Sequence, residues 1–85
     1  MTSTKTLRRH AALVDSMANT LGIDLQEQAL RGNLPISEIE DAVLRCTGCT
    51  QPDACEHWLA TRSGVEPETP SYCRNSDLFE DLRLR

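Results

Sequence analysis

Four cysteines constrain this chain more than any other residue type. Three lie within ten positions, as Cys46-x2-Cys49-x5-Cys55, and the fourth follows at Cys73. Two thiolates separated by two residues can grip one metal ion or one cluster. A fold that uses all four together must bring a distant segment back onto the Cys46 to Cys55 stretch. Size explains why such a staple is wanted. A chain of 85 residues buries only about 60–65% of its unfolded surface. One Trp, one Tyr and one Phe leave few large side chains for a core, and small domains often add a metal or disulfides to compensate. The length predicts one helical, cysteine-rich domain over 1–85.

The apolar spacing is helical throughout. Leu7, Ala11, Val14, Met17, Ala18 and Leu21 fall on one face at the 3.6-residue period. Thr4 is the expected N-cap of this first helix, and Gly22 the left-handed residue that ends it. Asp24 is placed to cap a short second helix, with Glu27 completing a capping box, and Gly32 stops it. A third helix is predicted from Ile36 to Arg45, with Ile36, Ile39 and Val43 as its apolar stripe. Pro52 suits the first turn of a fourth helix reaching Arg62, and Gly64 is expected to end it. Val65 to Pro70 reads as an extended connector. A last helix runs from Asn75 or Ser76 to Leu84, with Leu78, Phe79 and Leu82 inward. No segment alternates with period two. The expected architecture is an all-α, compact bundle of four to five short helices clamped by a four-cysteine site.

The helix phases aim the thiols. Three residues beyond Val43, Cys46 faces the core side at the end of the third helix. Cys55 shares a buried face with Trp58 and Leu59, and Trp58 is expected at the centre of a thin core. Three readings are open. Ordinary buried thiols behave as small hydrophobes, but the clustering of these four disfavours that. A disulfide framework linking Cys46 to Cys73 would close a loop of about 28 residues, worth roughly 3–4 kcal/mol in the chain-entropy model; no apolar signal segment follows the basic stretch Met1 to Arg9, and four cysteines in a reducing cytoplasm are more often metal ligands. The favoured reading is a metal centre on Cys46, Cys49, Cys55 and Cys73. Zinc sites often use two short knuckles, whereas the uneven spacing here, with one knuckle and two single cysteines, is nearer to iron–sulfur practice. The expected cofactor is a [4Fe–4S] cluster, with Zn2+ as the alternative.

Arg45, Arg74 and His57 are candidates for a supporting shell, since basic neighbours lower thiol pKa values and offset a cluster's negative charge. Trp58 is a fourth candidate for that shell. His57 is two residues from Cys55, or about 200° around a helix, so it does not face the same point. His10, on the apolar side of the first helix, reads as a boundary histidine bonded to the backbone. The acidic residues Glu38, Glu40 and Asp41, and likewise Asp77, Glu80 and Asp81, read as solvated helix faces.

The run Cys46-x2-Cys49-x5-Cys55 is similar to the ligand spacing of WhiB-like regulators and of endonuclease III-type DNA glycosylases. Both families carry a [4Fe–4S] cluster on four cysteines in helical scaffolds. In both, the lone cysteine precedes the run, whereas Cys73 follows it. Over nearly its full length the chain also resembles a family of short uncharacterised bacterial proteins. The shared features are Leu-Val-Asp-x-Met at Leu13 to Met17, Leu-Gly-Ile-Asp at Leu21 to Asp24, Gly32, Arg45-Cys-x-x-Cys, Cys55-x-x-Trp-Leu and Pro70-x-x-Cys-x-Asn, ending at Asn75. That resemblance carries no activity. It implies that the four cysteines and Trp58 form one module.

A net charge of −4 speaks against a nucleic-acid partner, which demands a basic face toward phosphates. There is no run of about 18 apolar residues that would span a membrane. No Ser/His/Asp spacing, phosphate loop or paired carboxylates point to an enzyme, and the βαβ context of a thioredoxin-type Cys-x-x-Cys is missing. The expectation is a cytoplasmic, non-catalytic metalloprotein, acting as a redox- or metal-responsive regulatory or protein-interaction module whose partner is another protein. A structural zinc adaptor without switching, or a thiol/disulfide protein, is the alternative.

Overall fold

The computed structural model describes residues 3–84. Among them the backbone forms five helices and no strand: α1 (Thr4–Thr20), α2 (Leu25–Leu30), α3 (Ile36–Thr47), α4 (Pro52–Ala60) and α5 (Ser76–Leu84). The all-α architecture is the one the periodicity predicts.

The helix ends follow local chemistry. Ser3 caps α1 by accepting the Thr6 N–H at 3.1 Å, one residue earlier than the expected Thr4. Either hydroxyl can fill this role. Gly22 has φ +80°, and the pair of bonds Gly22 N–H to Asn19 O and Ile23 N–H to Ala18 O closes a Schellman turn. Gly32 repeats the device after α2. Asp24 accepts the Glu27 N–H at 3.1 Å, while the Glu27 carboxylate turns to Arg31 at 2.8 Å, so the capping bond predicted there is made on one side.

Two helix ends differ from expectation. α3 runs on to Thr47, which places Cys46 inside its last turn. α4 stops at Ala60, and the left-handed Gly64 bends the connector beyond it instead of ending the helix.

The core is drawn from α1 (Leu13, Val14, Met17, Ala18), from Leu34 and Ala42, and from Phe79 and Leu82 of α5. Phe79, Leu34 and Leu82 are its largest fully buried side chains. Trp58 is not the core's centre. It sits half-buried at the rim with the Arg62 guanidinium 5.0 Å from its ring centroid, because Cys55 is the residue α4 turns fully inward. Phe79 takes the central place. Ala11 and Ile36, expected to face inward, are both exposed. The α3 stripe centres on Ala42, with Ile39 and Val43 half-buried, so Ile36 in the first turn falls beyond its covering neighbours. His10 is buried and its Nδ1 lies 2.8 Å from the Thr6 carbonyl. A carbonyl only accepts, so Nδ1 carries the proton.

α1 is the hub, packing most against α3 and next against α4. Arg9 ties it to α4 through Asp53 (2.6 Å) and Glu56 (2.8 Å), both in solvent. The connector after α4 is pinned by Arg83, whose guanidinium donates to the carbonyls of Leu21, Glu66 and Pro67. The Glu66 N–H bonds Thr20 O at 2.8 Å. The connector is thereby laid along the end of α1, and it delivers Cys73 to the other cysteines.

Phe79→Ala is expected to lower unfolding free energy by about 3–5 kcal/mol, and Ile36→Ala to change it by no more than about 0.5 kcal/mol, as read from equilibrium urea unfolding.

Candidate metal centre

The chain turns back on itself at the end of α3. Gly48 N–H bonds Arg45 O and Cys49 N–H bonds Cys46 O, each at 3.0 Å, so Cys49 follows Cys46 around a tight bend. The Cys49 sulfur accepts the Gln51 N–H at 3.3 Å and lies 4.0 Å from the Tyr72 carbonyl. The second contact joins the loop before α4 to the segment that carries Cys73. Cys55, on the first turns of α4, is buried; the other three cysteines are half-buried. The Cys73 N–H bonds Pro70 O at 3.1 Å, and its sulfur receives bonds from the Asn75 N–H and the Thr69 hydroxyl.

Asn75 bolts this assembly together. It is 3% exposed; its amide donates to Ala42 O at 2.8 Å and its side-chain oxygen accepts from Arg45 Nε at 2.8 Å. The residue two past Cys73 is thus locked to the turn of α3 that precedes Cys46. The sequence shows Asn75 as one letter of a motif and a candidate helix start. Its burial is a tertiary fact, since the partners lie 30 and 33 residues away. Only its place two residues after a cysteine hints at a role.

The four thiols feel one another's charge. Burial pushes the Cys46 thiol from an ordinary 9.0 up to about 11, with further upward pressure from Cys55, Cys49 and Cys73. Cys55 is likewise pushed up to about 11, by burial first and then by Cys73, Cys49 and Glu56. Burial also raises Cys73, against the two bonds its sulfur receives. The Tyr72 hydroxyl is raised by burial and by three of the same sulfurs. At neutral pH Cys46 and Cys55 are therefore neutral thiols. All four cysteines are free, with no disulfide among them. Among the described residues no set of three or more His, Cys, Asp or Glu stands in position to hold a metal ion. The thiols are gathered around one region without being closed on a point.

The supporting candidates are placed differently from one another. Arg45 reaches Asn75. Arg74 lies over the knuckle: a Cβ on Gly48 would meet Arg74 Nε at 3.6 Å and Arg45 O at 3.3 Å. His57 is exposed on α4 and Trp58 half-buried beside it. The donor set nevertheless suits a thiolate-bound metal or cluster. Four sulfurs lie in one region, from the end of α3, the loop after it, α4 and the segment before α5, and N–H groups of Gln51 and Asn75 already point at two of them, as outer hydrogen bonds to ligating sulfur do.

A family model described as a family of unknown function, DUF6455, matches residues 1–85. The chain belongs to the DUF6455 family. No curated protein and no solved structure matches it. The match spans the whole cysteine set as well as α1 and its glycine cap, so the thiols and their scaffold fall within one DUF6455 unit.

The raised thiols set a pH dependence for the metal-free protein. Native Cys46 and Cys55 hold their protons to higher pH than the unfolded chain does, so unfolding releases protons above about pH 8.5. Stability is expected to be level below that pH and to fall as pH rises from there through about 11. Urea midpoints of metal-free protein under reductant, taken at intervals from neutral to alkaline pH, check this. Midpoints unchanged across the window would contradict it.

Proposed function

We propose that this DUF6455 protein is a small cytoplasmic, non-catalytic metalloprotein that holds an iron–sulfur cluster on Cys46, Cys49, Cys55 and Cys73 and serves as a redox- or metal-responsive interaction module. The observation that carries the reading is the gathering of four free thiols from the end of α3, the loop after it, α4 and the segment before α5. In a metal-free state Cys46, Cys55 and Cys73 are costly to ionise, because burial first, and neighbouring thiolates second, raise them. A cation held by Cys46, Cys49, Cys55 and Cys73 would reverse the sign of that interaction and displace a proton from each ligating thiol. The uneven Cys46-x2-Cys49-x5-Cys55 spacing, which resembles that of WhiB-like proteins, favours a cluster over a single zinc ion. No helix of the described residues is long and apolar enough to cross a membrane, in keeping with a site that works away from the bilayer.

An iron–sulfur cluster would supply an oxygen- and electron-sensitive group there. The chain's own contribution is mechanical. Cys46 holds the tail of α3, Cys55 holds α4, and Cys73 holds the lead into α5. With all four engaged the three segments act as one body. When the thiols regain their protons, α4 keeps one buried residue, the half-buried Trp58 and Leu59, and two exposed ion pairs as its attachments. Structural zinc in small domains contributes about 10–16 kcal/mol of apparent binding energy, which is also folding energy. Loss on that scale frees the Leu59, Leu78 and Phe79 side of the bundle for a protein partner.

Anaerobic purification with metal analysis and a visible spectrum tests this. The expected result is about four irons per chain, with a broad absorption near about 400 nm, and loss of both in Cys55→Ser and Cys73→Ser. A colourless protein with one stoichiometric zinc would replace the cluster by the structural adaptor. A metal-free protein whose stability is unchanged by Cys73→Ser and by reductant would overturn both.

A further inference from the structure

A second feature lies away from the thiols. The N-terminal half of α1 and the outer side of α3 flank an open groove of about 430 Å3. Leu7 and Ala11 line it from α1, and Ile39, Val43 and Leu44 from α3. The lining is almost entirely carbon, so Arg8 and Glu40, which also border it, contribute their methylene stems and leave their charges at the rim. Leu44 is 56% exposed. Ile36, 62% exposed, extends the α3 stripe by one turn.

The rim identifies the occupant. Arg8 stands on the α1 side and Glu40 on the α3 side, and neither makes an ion pair among the described residues. The neighbouring Arg9 is by contrast committed to Asp53 and Glu56. A two-fold axis over the groove sets Arg8 of one copy against Glu40 of the other, and the reverse, because an isologous contact pairs i with j and j with i. A rim with one cation and one anion is self-complementary. An anionic membrane surface or a partner of single charge would be attracted by one side and repelled by the other.

We infer that this groove is a homodimer interface, in which two copies lay their α1–α3 faces together around the Leu44 side chains. Each chain carries a net charge of −4, which opposes the approach of a second copy. The dimer is therefore weak and concentration-dependent.

Sedimentation velocity on the anaerobically purified full chain, from micromolar to millimolar concentration, reads this directly. The expected weight-average mass rises from 9.5 kDa toward twice that value. Arg8→Glu and Glu40→Arg each weaken association by roughly tenfold, since each change places like charges at two symmetric sites, and the double variant restores it. Leu44→Asp abolishes association with far-UV circular dichroism unchanged, because the side chain is already exposed. A chain that stays monomeric across the range overturns the inference. So do charge reversals whose effects add without restoration, or association with anionic vesicles in place of self-association.

Discussion

The helix α4 buries one side chain, and that side chain is the thiol of Cys55. Every other helix of the bundle brings carbon to the core: four apolar residues from α1, Leu25 from α2, Ala42 from α3, Phe79 and Leu82 from α5. Trp58, the largest residue of α4, stays at the rim. The apolar core therefore secures one side of the molecule most firmly, while α4 is held by the Cys55 thiol, by the half-buried Trp58 and Leu59 at the edge of the core, and by Arg9's ion pairs in solvent, which salt screens. The cysteine side of the fold is the less firmly secured one. A staple at that place would offset the shortfall in buried surface that 85 residues impose.

The framework around the thiols is already in position without it. Asn75 joins the start of α5 to α3, Arg83 fixes the connector to the end of α1, and the bend through Gly48 turns Cys49 toward the Cys73 segment. Each of these uses backbone carbonyls or N–H groups and needs no metal. Such preorganisation would lower the conformational cost of closing four thiols on one centre, because the far ends of their segments are fixed. It also divides the chain's polar work. The buried Asn75 amide and the guanidinium bonds of Arg45 and Arg83 hold the geometry, and the sulfurs remain free thiols.

Much of the fold could be read from residue order because its signals are local. Gly22 and Gly32 end helices where only glycine adopts the left-handed turn without strain, and Asp24 caps where its carboxylate meets the backbone three residues on. His10 bonds its own helix, as its position suggests. The differences arise where a long-range partner decides. Ile36 and Ala11 have the right period, but no neighbour reaches over them. Trp58 has the size for a core centre, but α4 lies at the edge. Asn75 bonds α3 across some thirty residues, which no periodicity encodes. For the thiols, spacing suggested a shared set, and helix phase placed Cys46 and Cys55 on a common side, where the fold brings them near enough to feel each other's charge. Their mutual electrostatic coupling needed three dimensions.

The central claim is that the four cysteines form one shared site. Alkylation of the anaerobically purified protein, followed through time by intact mass spectrometry, tests it most directly. A shared centre protects its thiols together, so the account predicts chains with no label and chains with all four, with a chelator speeding the conversion between them. Chains carrying one, two and three labels in sequence, each cysteine reacting at its own rate regardless of chelator, would contradict it.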